Sequence, residues 1–170
     1  DWLAWATAKS DDAKAQAPRG QAPEFITALP QFGAKDLSDK TWNLGALQNK
    51  GTLVNYWATW CGPCRGEHVE LQKLFEKTKG RTAIQILTIS VDENPAAATT
   101  YIKENGYTFP VIIDPGLADK LMPWVGLPSN FLVDTLGRRT AMYHFPGGAV
   151  GLERTLGDLQ NAAKQSPPQP

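Results

Sequence analysis

Cys61 and Cys64 are the only cysteines among 170 residues, and Gly62 and Pro63 stand between them. Before the pair runs Leu53-Val-Asn-Tyr-Trp-Ala-Thr-Trp60, apolar and β-prone. After it, Arg65-Gly-Glu-His-Val-Glu-Leu-Gln-Lys-Leu-Phe75 has a helical pattern. C-x-x-C spacing at a helix start puts the two cysteines about one turn apart, within the Cα separation a disulfide allows. Cys61 then lies beside unpaired backbone N–H groups, which together with the helix dipole favour thiolate over thiol. The thiolate is the nucleophile of thiol–disulfide exchange. Cys64, one turn further in, is expected to be more buried and placed to attack a mixed disulfide formed at Cys61. Gly62 gives a partner chain close access to the sulfur. Pro63 lacks an N–H and presets a helical φ, which suits a first turn. A Gly-Pro pair is consistent with a reducing couple.

The competing chemistry is half of a zinc site. A structural zinc takes four ligands, and Cys61, Cys64, His68 and His144 are all the Cys and His present. His68 follows Cys64 by four residues and can share its helix face, but nothing local completes the set. The strand-to-helix context favours redox chemistry.

Such a pair needs a strand that ends at it and a helix that starts at it. Thr52 to Thr59 reads as a strand covered on both sheet faces, being nearly continuous in apolar residues. The helix should run from Gly62 to about Lys79. Leu71, Leu74 and Phe75 form its apolar face, with Val69 and His68 as further candidates. Thr82 to Val91 is a second strand, parallel to the first through a right-handed crossover. Pro95 to Asn105 is a helix with Gly106 past its end, Phe109 to Asp114 a short strand, and Leu117 to Trp124 one or two helical turns. Ser129 to Asp134 and Thr140 to Phe145 read as strands joined through a turn at Gly137. A helix over Gly151 to Lys164, with Leu152, Leu156 and Leu159 on one face, closes the domain. Upstream, Phe32 to Trp42 reads as a hairpin turning at Asp39-Lys40, followed by a helical turn carrying Leu44 and Leu47.

The domain is therefore expected over residues 24–164. Residues 1–23 have linker composition, apart from Trp2, Leu3 and Trp5, and read as the frayed end of a removed helix or preceding domain. Residues 165–170 read as a disordered tail. The first residue is Asp1, so the chain reads as a processed or cut product in which any signal or anchor would be missing, and its absence here says nothing. Lys plus Arg and Asp plus Glu each number 17, so no basic excess points to nucleic acid. No apolar run is long enough to span a bilayer.

Trp57-Ala-Thr-Trp-Cys-Gly-Pro-Cys64 resembles the thioredoxin superfamily. Three further features are similar to its TlpA/ResA-like branch of membrane-associated or periplasmic thiol–disulfide oxidoreductases. These are the Phe32 to Leu47 hairpin, the inserted segment Pro95 to Asp114, and Gly126-Leu-Pro-Ser-Asn-Phe-Leu-Val-Asp134. The resemblance covers about residues 24 to 163. It implies an α/β thioredoxin-like fold: a central mixed β-sheet flanked by helices, with an N-terminal hairpin and an inserted helix and strand.

The resemblance also implies roles. Cys61 and Cys64 are the catalytic pair. Pro128 matches the family's cis-proline beside it, and Leu127 is a contact for an extended substrate segment. Trp60, Gly62 and Pro63 belong to the substrate-facing rim, and Trp57 is either site or core. Glu67 matches a glutamate kept near the cysteines, where a carboxylate raises thiol pKa values or accepts a proton; the other possibility is a solvated helix glutamate. Asn55 stands where thioredoxin has a buried aspartate, so that base is missing. Arg65 is expected to be exposed and to tune local charge. Val69 replaces the usual helix-kinking proline, so the helix should run straighter. His68 replaces Met or Phe and either perturbs Cys64 or caps the core edge. Ser129 replaces the common Thr.

No cofactor beyond the cysteine pair is implied. Partners would be protein thiols and disulfides, with renewal by a membrane thiol donor of the DsbD/CcdA type, no nucleic acid, and a monomeric state. The location would be extracytoplasmic, with reduction of cytochrome c precursors as one common task. Two alternatives remain. One is a thiol peroxidase of peroxiredoxin type, which normally lacks so tight a pair. The other is a Sco-like copper chaperone, which uses C-x-x-x-C and a distant histidine, here only His144.

Overall fold

The computed structural model describes residues 27–124, 126–140, 142–145 and 148–164. The readings of residues 1–23 and 165–170 lie outside these. The core forms around β4 (Gly51–Trp57), whose seven residues are all buried. On one side β4 pairs parallel with β5 (Ile84–Ser90), in the register Asn55 to Thr88. On the other it pairs antiparallel with β7 (Ser129–Val133), in the register Asn55 to Asn130. β6 (Val111–Ile113) adds parallel to β5. β8 (Arg138–Arg139) and β1 (Thr27–Ala28) extend the far side, giving among the described residues a six-stranded mixed sheet of order β1-β8-β7-β4-β5-β6.

Side chains alternate across a strand, so β4 shows which helices cover which face. Trp57 and Asn55 meet α2 (Gly62–Thr78), and Gly51 lies against α5 (Gly148–Ala162). A Cβ on Gly51 would press on the Leu159 carbonyl oxygen, so the close approach of strand and helix requires glycine. An ion pair between Lys77 and Glu153 (2.7 Å) ties α2 to α5. The Tyr101 ring of α3 (Pro95–Glu104) packs on this face too, against Trp57 and His68. Tyr56 points the other way, where its hydroxyl donates to the Ala118 carbonyl (2.8 Å) in α4 (Pro115–Leu121). The sheet is thus covered on both faces, as a thioredoxin-like fold requires.

The hairpin β2 (Gly33–Lys35) and β3 (Thr41–Asn43) forms a separate two-stranded sheet, followed by the single turn α1 (Leu44–Leu47). Asp36 organises its bend, accepting from the Ser38 N–H and Oγ, the Lys40 N–H and the Trp42 indole (2.8 Å). Burial alone would raise the Asp36 pKa, but these hydrogen bonds hold it below the usual carboxylate value. The bend docks on the sheet where the Leu37 N–H donates to the Val111 carbonyl (2.9 Å).

Two expectations change. The buried stripe of α2 is Cys64, His68, Leu71, Leu74 and Thr78, and Val69 is 48% exposed. Neighbouring residues lie about 100° apart around a helix, and here His68 takes the place facing the sheet while Val69 turns outward. Among the described residues of the Thr140 to Phe145 span, none continues β8 as a strand. The Thr140 N–H still reaches the Leu132 carbonyl, but the Tyr143 N–H reaches the Asn130 carbonyl, one residue out of step. A ladder that slips by one residue is interrupted as at a bulge. Among the described residues no helix is long and apolar enough to cross a membrane.

Candidate redox site

Ala58 to Cys61 turn back at the end of β4, closed by the Cys61 N–H donating to the Ala58 carbonyl (3.1 Å). Cys61 is extended (φ −88°, ψ 104°) and caps α2, its Sγ accepting from the Cys64 N–H (3.3 Å). A cap position of this kind places the sulfur on the positive end of the helix. Pro63 lies in the first turn, where a missing N–H loses nothing. Cys61 and Cys64 form a disulfide with Cα atoms 5.4 Å apart. Cys64 is wholly buried and Cys61 is 5% exposed, while Gly62 and Pro63 beside them are open to solvent. Trp60 projects from the turn with 67% of its surface exposed.

The Leu127–Pro128 peptide bond is cis, and both residues are half-buried. Ser129, the next residue, pairs with Tyr56 at the end of β4 that leads to Cys61. Antiparallel pairing therefore brings the Pro128 segment to the same end of the sheet as the cysteine turn.

Behind the turn lies a buried polar trio. Glu67 Oε2 accepts from Asn55 Nδ2 and Glu67 Oε1 from Asn130 Nδ2, both at 2.9 Å. Asn55 Nδ2 also donates to Asn130 Oδ1 at 2.9 Å. The Glu67 carboxyl is thus turned inward onto the two amides, with the residue as a whole half-buried. Burial pushes its pKa up, and the bonds from Asn130 and Asn55 only partly offset this. Asn55 Oδ1 is buried with no hydrogen-bond partner among the described residues.

His68 stands in an aromatic box of Trp57, Tyr101, Tyr107 and Phe109, with ring centroids 4.7 to 5.6 Å away. Its Nδ1 is 3.0 Å from the Tyr101 hydroxyl, and burial lowers its pKa to about 4. His68 is therefore a core residue, neutral at ordinary pH. Trp57 is core as well, fully buried with its indole N–H on Thr88 Oγ1 (3.2 Å). Arg65 is exposed, and its Nη2 donates to the Thr59 carbonyl (3.2 Å). Among the described residues no three Cys, His, Asp or Glu come together as a metal group, and His144 is exposed.

Sequence reasoning missed Asn130 as a partner of Glu67. Its signal is a polar residue inside an otherwise apolar strand, directly across from Asn55. It also missed Asp92, a carboxylate buried just past the end of β5.

Residues 26–138 match the AhpC/TSA family. A curated thiol-disulfide oxidoreductase ResA from Bacillus anthracis is 35% identical over 112 residues, 64% of this chain and 63% of the relative. The alignment with the first curated relatives thus spans a little under two thirds of their length. ResA of Oceanobacillus iheyensis is 31% identical over 143 residues, 81% of this chain and 72% of the relative. A thioredoxin-family thiol:disulfide interchange protein from Chlorobium tepidum superposes with a TM-score of 0.68 at 24% identity, covering 81% of this chain and 99% of that one. A DsbF homologue from Corynebacterium diphtheriae gives 0.66 at 24% identity, covering 85% and 97%. These two structures establish the thioredoxin-like fold. The family match spans the hairpin and the cysteine turn, and together with the ResA relatives it shows that the chain belongs to the AhpC/TSA family, in its ResA-like branch.

Proposed function

We propose that this chain is a thiol–disulfide oxidoreductase that exchanges electrons between Cys61–Cys64 and protein partners as an extracytoplasmic reductant. The observation that carries this is the pair itself: a disulfide on a helix N-terminus, with the inner sulfur buried and the outer one beside exposed Gly62 and Pro63. In the reduced protein the Cys61 thiolate attacks one sulfur of a partner disulfide, forming a mixed disulfide and releasing one partner thiolate. Cys64 then loses its proton and attacks Cys61, which restores the internal disulfide and frees the second partner thiolate. The partner gains two electrons and the cysteine pair loses them.

Glu67 is the group suited to taking the Cys64 proton, because burial raises its affinity for one. Leu127 and Pro128 offer backbone to an extended partner segment, and Trp60, Gly62 and Pro63 form the rim it meets. We assign renewal to a membrane thiol donor of the DsbD/CcdA type, and cytochrome c precursors to the set of candidate substrates. Support for the location comes from a structural neighbour described as a secreted thiol-disulfide isomerase of Corynebacterium glutamicum, with a TM-score of 0.66 at 23% identity. The protein acts without a cofactor and as a monomer.

Insulin-disulfide reduction tests the reading. Cys61→Ser should abolish it, and Cys64→Ser should trap partners as mixed disulfides. Full activity in Cys61→Ser sinks the proposal. A potential near about −270 mV supports a reductase, and one near about −120 mV an oxidase.

A further inference from the structure

We propose that Asp92 is a positioning residue for the redox site, acting through Thr59 on the turn that carries Trp60 and Cys61. This rests on Cys61 being the attacking sulfur, as argued above. Asp92 is only 4% exposed and follows β5, whose last residue, Ser90, pairs with Trp57 at the end of β4. The Val91 N–H donates to the Trp57 carbonyl (2.9 Å) and holds the two chain ends side by side.

The Asp92 carboxylate turns to the cysteine loop. Its Oδ1 accepts from Thr59 Oγ1 (2.6 Å) and its Oδ2 from the Thr59 N–H (3.0 Å). The same N–H lies 3.2 Å from Oδ1, and Ser90 Oγ donates to Oδ2 (2.7 Å). A carboxylate taken out of water is costly unless such bonds fill its lone pairs. Most of these bonds come from one residue, Thr59.

Thr59 is held from its other side too. Its carbonyl accepts from Arg65 Nη2 (3.2 Å), and Arg65 belongs to the helix that Cys61 caps. The buried carboxylate therefore grips the N–H and hydroxyl of Thr59 while the guanidinium grips its carbonyl. Thr59 and Trp60 are the two central residues of the turn closed by Cys61 and Ala58. Fixing Thr59 fixes the backbone from which the exposed Trp60 ring and the Cys61 sulfur project. A macromolecular partner must satisfy both at once. A small disulfide needs only the sulfur.

That difference supplies the test. Asp92→Ala, Asp92→Asn and the wild type are compared for kcat/KM towards insulin and towards a small aromatic disulfide, with Cys61→Ser as the inactive control. Asp92→Ala should lose about 10-fold on insulin and less than about 3-fold on the small disulfide, since misplaced contacts weaken only the reaction that uses them. Asp92→Asn keeps a carbonyl oxygen for Thr59 and should recover most of the loss. If Asp92→Ala fails to fold, Thr59→Val removes the hydroxyl bond alone and should show a smaller loss confined to insulin. Equal losses on both substrates, or none on either, overturn the role of Asp92. A wild type that reduces neither disulfide overturns the proposed function instead.

Discussion

His68 makes the protein's stability depend on pH in a way its sequence neighbours do not. Its folded pKa is lowered from the ordinary 6.5 to about 4 because the ring is buried among Trp57, Tyr101, Tyr107 and Phe109. As pH falls through 6.5, the unfolded chain takes up the proton while the folded one resists until about 4. Stability is therefore complete above pH 6.5 and declines below it. The gap between 6.5 and about 4, at about 1.4 kcal/mol per unit, amounts to about 3 kcal/mol. Most of it, about 2.5 kcal/mol, should be gone by about pH 4.5. The Tyr101 hydroxyl that faces the ring is raised to about 12 and stays protonated throughout this window. Glu67 works in the opposite sense, since its raised pKa gives the folded state a proton more readily as pH falls. The informative quantity is thus the difference between wild type and His68→Phe, which keeps an aromatic ring and cannot titrate. Urea unfolding of both oxidised proteins from pH 7.5 to 4.5 measures it. At pH 7.5 the variant should be less stable by about 1 kcal/mol for the lost Tyr101 bond. Towards pH 4.5 it should become the more stable of the two. Parallel stability curves across this range would refute the buried neutral imidazole.

Other substitutions reach other parts of the fold. Asn130→Ala removes a bond that lowers the Glu67 pKa, so the Glu67-dependent limb of the exchange pH profile should move to higher pH. Glu67→Gln should remove that limb altogether, read from the pH dependence of Cys64 alkylation in the reduced protein. Gly51→Ala should cost about 1–3 kcal/mol in urea unfolding, because the new methyl would press on the Leu159 carbonyl. Asp36→Ala should cost about 1–3 kcal/mol and speed hydrogen exchange in the hairpin, since the Trp42 indole and the Ser38 and Lys40 N–H groups lose their acceptor.

The strand–helix–strand order around the cysteines was legible because each part carries a local signal. The seven buried residues of β4 are apolar except Thr52 and Asn55, and Pro63, Pro95 and Pro115 each lie in the first turn of a helix. The bend at Asp39 was legible as well, and its positive φ of 64° fits a turn. Periodicity could not choose between His68 and Val69. The choice comes from Tyr101, Tyr107 and Phe109, more than thirty positions later, which build a box at only one of the two places. Asn130 is legible as a partner of Glu67 only once the register sets it across from Asn55, 75 residues away. Thr140 to Phe145 has strand-like composition, but the slip between Thr140 and Tyr143 is a property of pairing and leaves no mark in one segment alone.

The bond from the Leu37 N–H to the Val111 carbonyl bears on how this protein stays apart from its neighbours. β6 is the last strand on its side, and a last strand offers free N–H and C=O groups to any other chain that comes alongside. Here the bend of the hairpin lies over that strand and takes up one of its carbonyls, with Asp36 bracing the bend from within. At the opposite side, β1 is only two residues long. Among the described residues neither border gives a long template for edge-to-edge growth. If the protein meets extended partners at its cysteine turn as proposed, these borders keep it from pairing with them along its sheet.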